Sequence, residues 1–282
     1  MHGETGNARK RVVHPSVEAV VRGYLAHTDR LCPGLVEGLY LTGSIALGDF
    51  RPGRSDIDFV VVTAQRLTAA DVAALKQAHA ETRGRFRRPH FDGIHVTWQD
   101  LAAGFASCPG VPYTLLGKFR TAGAFEVNPV TWAVLTKNAV SVRGPAPGGF
   151  EVGTDPDSLR DWTLGNLEDY WRRRHIEQSR PLSPWGVAAL GGRAVAWGVL
   201  GVSRLHHTLA TGEITSKGGA GRYALETFAP DWHPVIEEAL RLHGSVSVPP
   251  PAPSRPLRNP FARRRAATDF IAMVVDDATA AR

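Results

Sequence analysis

Cysteine is nearly missing from this chain of 282 residues. Cys32 and Cys108 are the only two, and they form neither a C-x-x-C pair nor a Cys/His metal spacing. That excludes a disulfide scaffold and a structural zinc site, and it fits a reducing compartment. No uninterrupted apolar run reaches the about 18 residues of a membrane-spanning helix. The best stretch, Val187 to Val202, is broken by Arg193 and rich in Gly and Ala. The N-terminal MHGETGNARKRVV lacks an apolar run of signal-peptide type, so a cytoplasmic location is expected. A dense basic stripe is missing as well. Lys and Arg number 33 against 27 Asp and Glu, and the surplus of +6 suits an anionic ligand. It is small for a dedicated nucleic-acid binder. Of the basic clusters Arg83 to Arg88, Arg172 to Arg174 and Arg263 to Arg265, the first and third read as solvated faces.

What is present is an ordinary globular composition, 43% hydrophobic and 21% charged, enough to bury a sizeable core over two domains. Residues 1–14 read as a loose polar arm. Val17, Val20, Val21, Tyr24, Leu25 and Leu31 follow helical spacing, with Ser16 as the expected cap. Leu39 to Thr42 reads as a short strand and Asp56 to Val62 as a buried one. Thr68-Ala69-Ala70-Asp71 is a capping box that opens another helix. A third strand is predicted from Phe91 to Trp98. Mixed helix and strand predict a sheet with helices packed on it. Turn formers at Pro145-Ala146-Pro147-Gly148-Gly149 set the predicted domains at 1–152 and 153–282. The second half reads as all-helical. Asp155-Pro156 starts a helix whose apolar face is Leu159, Trp162, Leu167, Tyr170 and Trp171. A longer helix is predicted from Trp185 to Thr211, another from Thr215-Ser216, a Pro-rich loop over 245–258, and a last helix over 261–278.

The chemistry concentrates in GSIALGDFRPGRSDIDFVVV, residues 43–62. Alternate residues of a strand point to one side, so Asp56 and Asp58 project together, about 6–7 Å apart at their alpha carbons. Two carboxylates so close repel unless a cation lies between them. Magnesium prefers such oxygen ligands and fills its remaining positions with water and phosphate oxygens. Gly43 lets the backbone approach a phosphate, and Ser44 can donate to it.

This stretch resembles the signature of the nucleotidyltransferase superfamily, the fold shared by polymerase beta and the antibiotic nucleotidyltransferases. The resemblance implies an α+β fold, with a mixed-sheet, polymerase-beta-like catalytic domain followed by an all-α helical bundle. It implies transfer of a nucleoside monophosphate from a triphosphate to an acceptor. Asp56 and Asp58 would hold two magnesium ions. Asp92, in HFDGIHVT, would be the third carboxylate. Relatives commonly carry Glu there as the base that takes the acceptor proton. Asp is one methylene shorter, which leaves metal ligand and base both open. His95 is a rival base, against the ordinary reading of a packed strand histidine.

The stretch from Ser203 to Lys217, continuing through Tyr223 to Glu226 and Trp232 to Ala239, is similar to the C-terminal domain of the aminoglycoside-3''-adenylyltransferase type. Relatives modify streptomycin and spectinomycin with ATP as co-substrate. The resemblance implies that Arg204 and Lys217 bind the nucleotide's phosphates from the helical half. Lysine is scarce here, which singles out Lys217 as a point charge. His243 stands where relatives often place a nucleotide-contacting Tyr. Trp185 stands where a Trp lies beside the drug. Leu190 and Ala194 replace acidic residues that a polycationic drug would need, which implies spectinomycin, or another small hydroxyl compound, rather than streptomycin. The expectation is a monomeric, magnesium-dependent adenylyltransferase of the cytoplasm, acting on a small molecule and not on membranes or nucleic acid. Its rivals are a nucleotidyltransferase with another acceptor, such as a protein or other metabolite, and a nucleotide-binding regulator with weakened catalysis.

Overall fold

A computed structural model describes residues 13–180, 183–245, 257 and 259–280, and of Trp185 only the backbone. The chain divides after Gly153 into two compact units. The first unit is built on six strands, β1 (Gly38–Leu41), β2 (Ile57–Thr63), β3 (Phe91–Thr97), β4 (Tyr113–Leu115), β5 (Lys118–Arg120) and β6 (Val140–Arg143). Their order in the sheet is β5-β4-β3-β2-β1-β6. Its helices are α1 (Pro15–Leu31), α2 (Gly43–Ala46), α3 (Ala69–Arg85), α4 (Trp98–Ala103) and α5 (Pro129–Lys137).

Only β2 and β3 run parallel; the other pairs are antiparallel. A parallel pair needs a long crossover, and α3 supplies it. The Thr68 hydroxyl accepts from the Asp71 amide and the Asp71 carboxylate accepts from the Thr68 amide, so the predicted capping box is formed. The alternation of β2 divides the core. Ile57, Phe59 and Val61 pack with Tyr24, Leu75 and Ala78 of α1 and α3. Val60 and Val62 pack with Ile94, Leu101, Trp132 and Leu135 on the other face.

Helix α1 is capped by His14, not Ser16. The His14 ring accepts from the Ser16 amide at 3.2 Å, and Pro15 occupies the first turn, where its missing N–H costs nothing. The Gly43-Ser44 turn is one turn of helix, α2. Strands β4, β5 and β6 and helix α5 go beyond the elements that the sequence pattern predicts. Each of the strands has only three or four residues and no clear alternation.

The second unit has helices and no strand among its described residues. It contains α6 (Pro156–Gly165), a π-helical turn at Asn166–Trp171, α7 (Arg172–Ser179), α8 (Pro184–Ala188), α9 (Gly192–Thr211), α10 (Lys217–Thr227), α11 (His233–His243) and α12 (Pro260–Ala280). Val199, Leu200 and Val202 of α9 pack with Ala224, Ile236, Leu240, Phe270 and Ile271 from the helices around it. The helix predicted from Trp185 to Thr211 is two helices. Gly191 is extended, and Arg263 Nη2 donates to the Leu190 carbonyl at 3.0 Å, which ends the first. Tyr170, predicted on the buried face, is 41% exposed. A π turn adds a residue to the helical repeat and so rotates the side chains after it around the axis. The polar arm and the Pro-rich loop expected at 245–258 fall mostly outside the described residues.

His95 faces the α1–α3 side, fully buried with His79 and Tyr24. Its Nδ1 donates to the Pro112 carbonyl at 3.1 Å, which leaves the single lone pair of Nε2 as an acceptor, with His79 Nε2 at 3.1 Å and the Tyr24 hydroxyl at 3.2 Å both within reach. Burial pushes His95 down to about 4 and His79 well below its usual value. Between pH 6.5 and 4 the unfolded chain therefore binds protons that the native state refuses, and stability falls as pH falls through that window. The limit is about 1.4 kcal/mol per pH unit for each histidine. Denaturant midpoints between about pH 7 and pH 4.5 should drop less steeply in His79→Phe than in the parent. Equal slopes would rule this pair out as the cause.

Candidate active site

Parallel register sets Asp58 directly beside Asp92. Paired residues of neighbouring strands share a face of the sheet, and Asp56 lies two residues before Asp58 at the entry to β2. The register is possible because position 93 is glycine. A Cβ on Gly93 would lie 1.9 Å from the Phe59 carbonyl oxygen. His95, an odd-numbered residue of the same strand, lies on the opposite face and is the packed histidine of the core.

Each carboxylate is held differently. Asp56 is partly exposed. Its Oδ1 accepts from the His90 amide at 3.3 Å and lies 3.6 Å from Arg88 Nη1. Asp58 packs against Gly43. A Cβ built at Gly43 would fall 1.8 Å from Asp58 Oδ2, and the Gly43 φ of +51° is one that other residues rarely adopt. Glycine is thus required twice over at this position. Asp92 is only 4% exposed. Its Oδ2 accepts from the Leu116 amide at 2.7 Å and its Oδ1 from the Gly117 amide at 2.8 Å. Burial raises its pKa, the Asp56 charge adds to the rise, and the two amides and His90 oppose it.

The Ser44 hydroxyl is buried and has no hydrogen-bond partner among the described residues. An unsatisfied buried hydroxyl costs stability, so it marks a position where an acceptor from outside the chain fits. Asp56 and Asp58 supply the hard anionic oxygens magnesium prefers, and Gly43 keeps Asp58 close to Ser44. Among the described residues no three Asp, Glu, His or Cys side chains form a set that would hold a metal unaided. Magnesium does not need one, since it is bound by one or two carboxylates with substrate phosphates and water completing its shell. The residues present fit the ion.

The remaining predicted residues belong to the second unit. Arg204, on α9, donates from Nε to the Thr215 carbonyl at 3.1 Å, just before α10 begins at Lys217. The structure therefore brings Arg204 and the start of α10 together. Ser216 caps α10 by accepting from the Gly219 amide at 3.0 Å. A lysine in the first turn opposes the helix macrodipole, an arrangement that favours an anion nearby. His243 ends α11, where its Nδ1 pairs with the Ser245 hydroxyl at 2.9 Å. Trp185 lies in α8, and its side chain is outside the described residues. Sequence reasoning missed Arg88 and His90 as partners of Asp56, and the Leu116–Gly117 turn as the partner of Asp92. The Leu-Gly pair between Leu115 and Lys118 was the available signal for that two-residue hairpin.

The family model of the nucleotidyltransferase domain matches residues 27–88, which contain Gly43, Ser44, Asp56 and Asp58. The model described as aminoglycoside adenylyltransferase, C-terminal domain, matches residues 192–264, which contain Arg204 and Lys217. A search of curated proteins gave no match. Among solved structures, the fold is similar to the crystal structure of spectinomycin adenyltransferase AAD(9) from Enterococcus faecialis with ATP and spectinomycin. The TM-score is 0.63 at 13% identity, over 90% of this chain and 99% of that chain. No helix among the described residues is long and apolar enough to cross a membrane. Each family model matches its own unit, in the order the residues imply: a nucleotidyltransferase domain, then a C-terminal domain of the aminoglycoside adenylyltransferase kind.

Proposed function

We propose that this enzyme transfers AMP from ATP, with magnesium, to a hydroxyl of a small-molecule acceptor, an aminocyclitol such as spectinomycin, and releases pyrophosphate. One observation carries the reading. Asp58 fills the space that a side chain at Gly43 would need, and beside it the Ser44 hydroxyl is buried with no partner among the described residues. Ser44 would donate to a phosphate oxygen of the nucleotide. Asp56 and Asp58 would hold magnesium, with Asp92 as the neighbouring third carboxylate. Bound magnesium would neutralise phosphate charge and fix the triphosphate.

Arg204 and Lys217 are assigned to the phosphates, His243 to the nucleotide and Trp185 to the acceptor. An acceptor oxygen would attack the alpha phosphorus in line, the bond to the bridging oxygen would break, and pyrophosphate would leave. Phosphoryl chemistry of this kind asks the protein for positioning and charge neutralisation more than for covalent help. AAD(9), solved with ATP and spectinomycin, supports the choice of those two substrates.

Pyrophosphate release with ATP or GTP against spectinomycin, streptomycin and other aminoglycosides tests the reading. Asp56→Asn should lower that release by about 1,000-fold or more. It should leave the melting temperature unchanged or raised, because it removes a charge that Asp92 feels. An Asp56→Asn protein that turns over at the parent rate would refute the metal role. Ser44→Ala should behave in the opposite sense to a structural mutation. Removing an unsatisfied hydroxyl should leave stability neutral or raise it by about 1 kcal/mol, while ATP affinity falls about tenfold. Calorimetric titration with ATP and a melting curve read both; loss of stability with affinity retained would contradict the assignment.

A further inference from the structure

A small cavity of about 20 Å³ lies where α1 and α3 meet β3 and β4. Val20, Phe86 and Phe91 give it apolar walls, and His79, Thr82 and Thr114 give it polar ones. The pairing of strands helps to open this space. Thr114 of β4 stands opposite Gly93 of β3, so it shares a face of the sheet with a residue that has no side chain. Thr114 is only 1% exposed, and its hydroxyl is buried with no hydrogen-bond partner among the described residues. A hydroxyl left in that condition costs stability.

Helix α3 brings two more polar groups to the same cavity. Thr82 Oγ1 donates to the Ala78 carbonyl at 2.8 Å, which leaves its own lone pairs to accept. His79 reaches His95 through Nε2. His95 can only accept there, because its Nδ1 donates to Pro112, so His79 Nε2 is the donor. Burial holds His79 neutral, which makes its Nδ1 an acceptor, and that atom has no hydrogen bond among the described residues. Thr114 thus offers a proton, while His79 and Thr82 offer lone pairs, and none of the three bonds to another. The group that completes them must both donate and accept. Size decides which one fits. A water needs about 10–15 Å³ of such a cavity. The space present holds one water and not two. No acidic side chain lines it, so a metal ion would find no ligand charge.

We propose that this cavity is the binding site of one ordered water molecule, held by Thr114, His79 and Thr82. The water accepts from the Thr114 hydroxyl and donates to His79 Nδ1 and to the Thr82 oxygen, about the three bonds that a buried water makes. It fastens β4, a strand of three residues, to α3. The site does not depend on the transferase reading, and its test uses no turnover.

A high-resolution crystal structure of the full-length protein tests occupancy. One density peak within hydrogen-bond distance of Thr114 Oγ1 and His79 Nδ1 is expected. No peak, or a peak with the short contacts of a metal ion, overturns the site. Urea unfolding of Thr114→Val tests whether the hydroxyl holds the water. Valine keeps the shape and removes the donor, so the folding equilibrium constant should fall about fivefold. An unchanged or raised constant means that the hydroxyl was unsatisfied, and overturns Thr114 as its ligand. The density in the parent decides occupancy even if the variant does not fold.

Discussion

Repulsion among three carboxylates is the constraint around which the first unit is arranged. Parallel pairing of β2 with β3 forces Asp58 beside Asp92, with Asp56 two residues away on the same face. The fold meets this with partial countercharge and oriented donors. Arg88 stands 3.6 Å from Asp56, the His90 amide donates to it, and two turn amides donate to Asp92. Burial raises the pKa of Asp92, and the Asp56 charge adds a smaller rise. A sheet that needed only stability would place valine at these positions, as it does further along the same face at Val60 and Val62.

The same tension explains the glycines. Gly93 has no side chain because the parallel strand approaches to within 1.9 Å of where a Cβ would be. Gly43 has none because Asp58 occupies its place. Both are consequences of bringing carboxylates close to a backbone turn. The opposite face of the same strands carries no such cost. There Ile57, Phe59 and Phe91 stack in an apolar core, and even its two histidines are kept neutral by burial.

The range of each interaction decides how much of this is readable from the residues alone. The Val-rich run after Asp58 and the Thr68–Asp71 capping box are local, and both stand where the residues predict them. The Gly-Ser and Asp-x-Asp pattern is legible because close carboxylates and a glycine turn make sense together. Strands β4 and β5 are not legible, since three residues carry too little pattern and their pairing with β3 is set from far away in sequence. With the hairpin goes the partner of Asp92. The break before α9 likewise coincides with a distant contact, that of Arg263 with the Leu190 carbonyl.

The second unit shows the complementary imbalance. Helix α10 opens with a lysine, although its macrodipole is already positive there, and Arg204 is held at the residue two before it by the Thr215 carbonyl. Neither choice is the one that helix stability alone would select, since an acidic residue in that turn would be favoured. The first unit gathers carboxylates beside a glycine turn, and the second gathers basic side chains at the start of a helix.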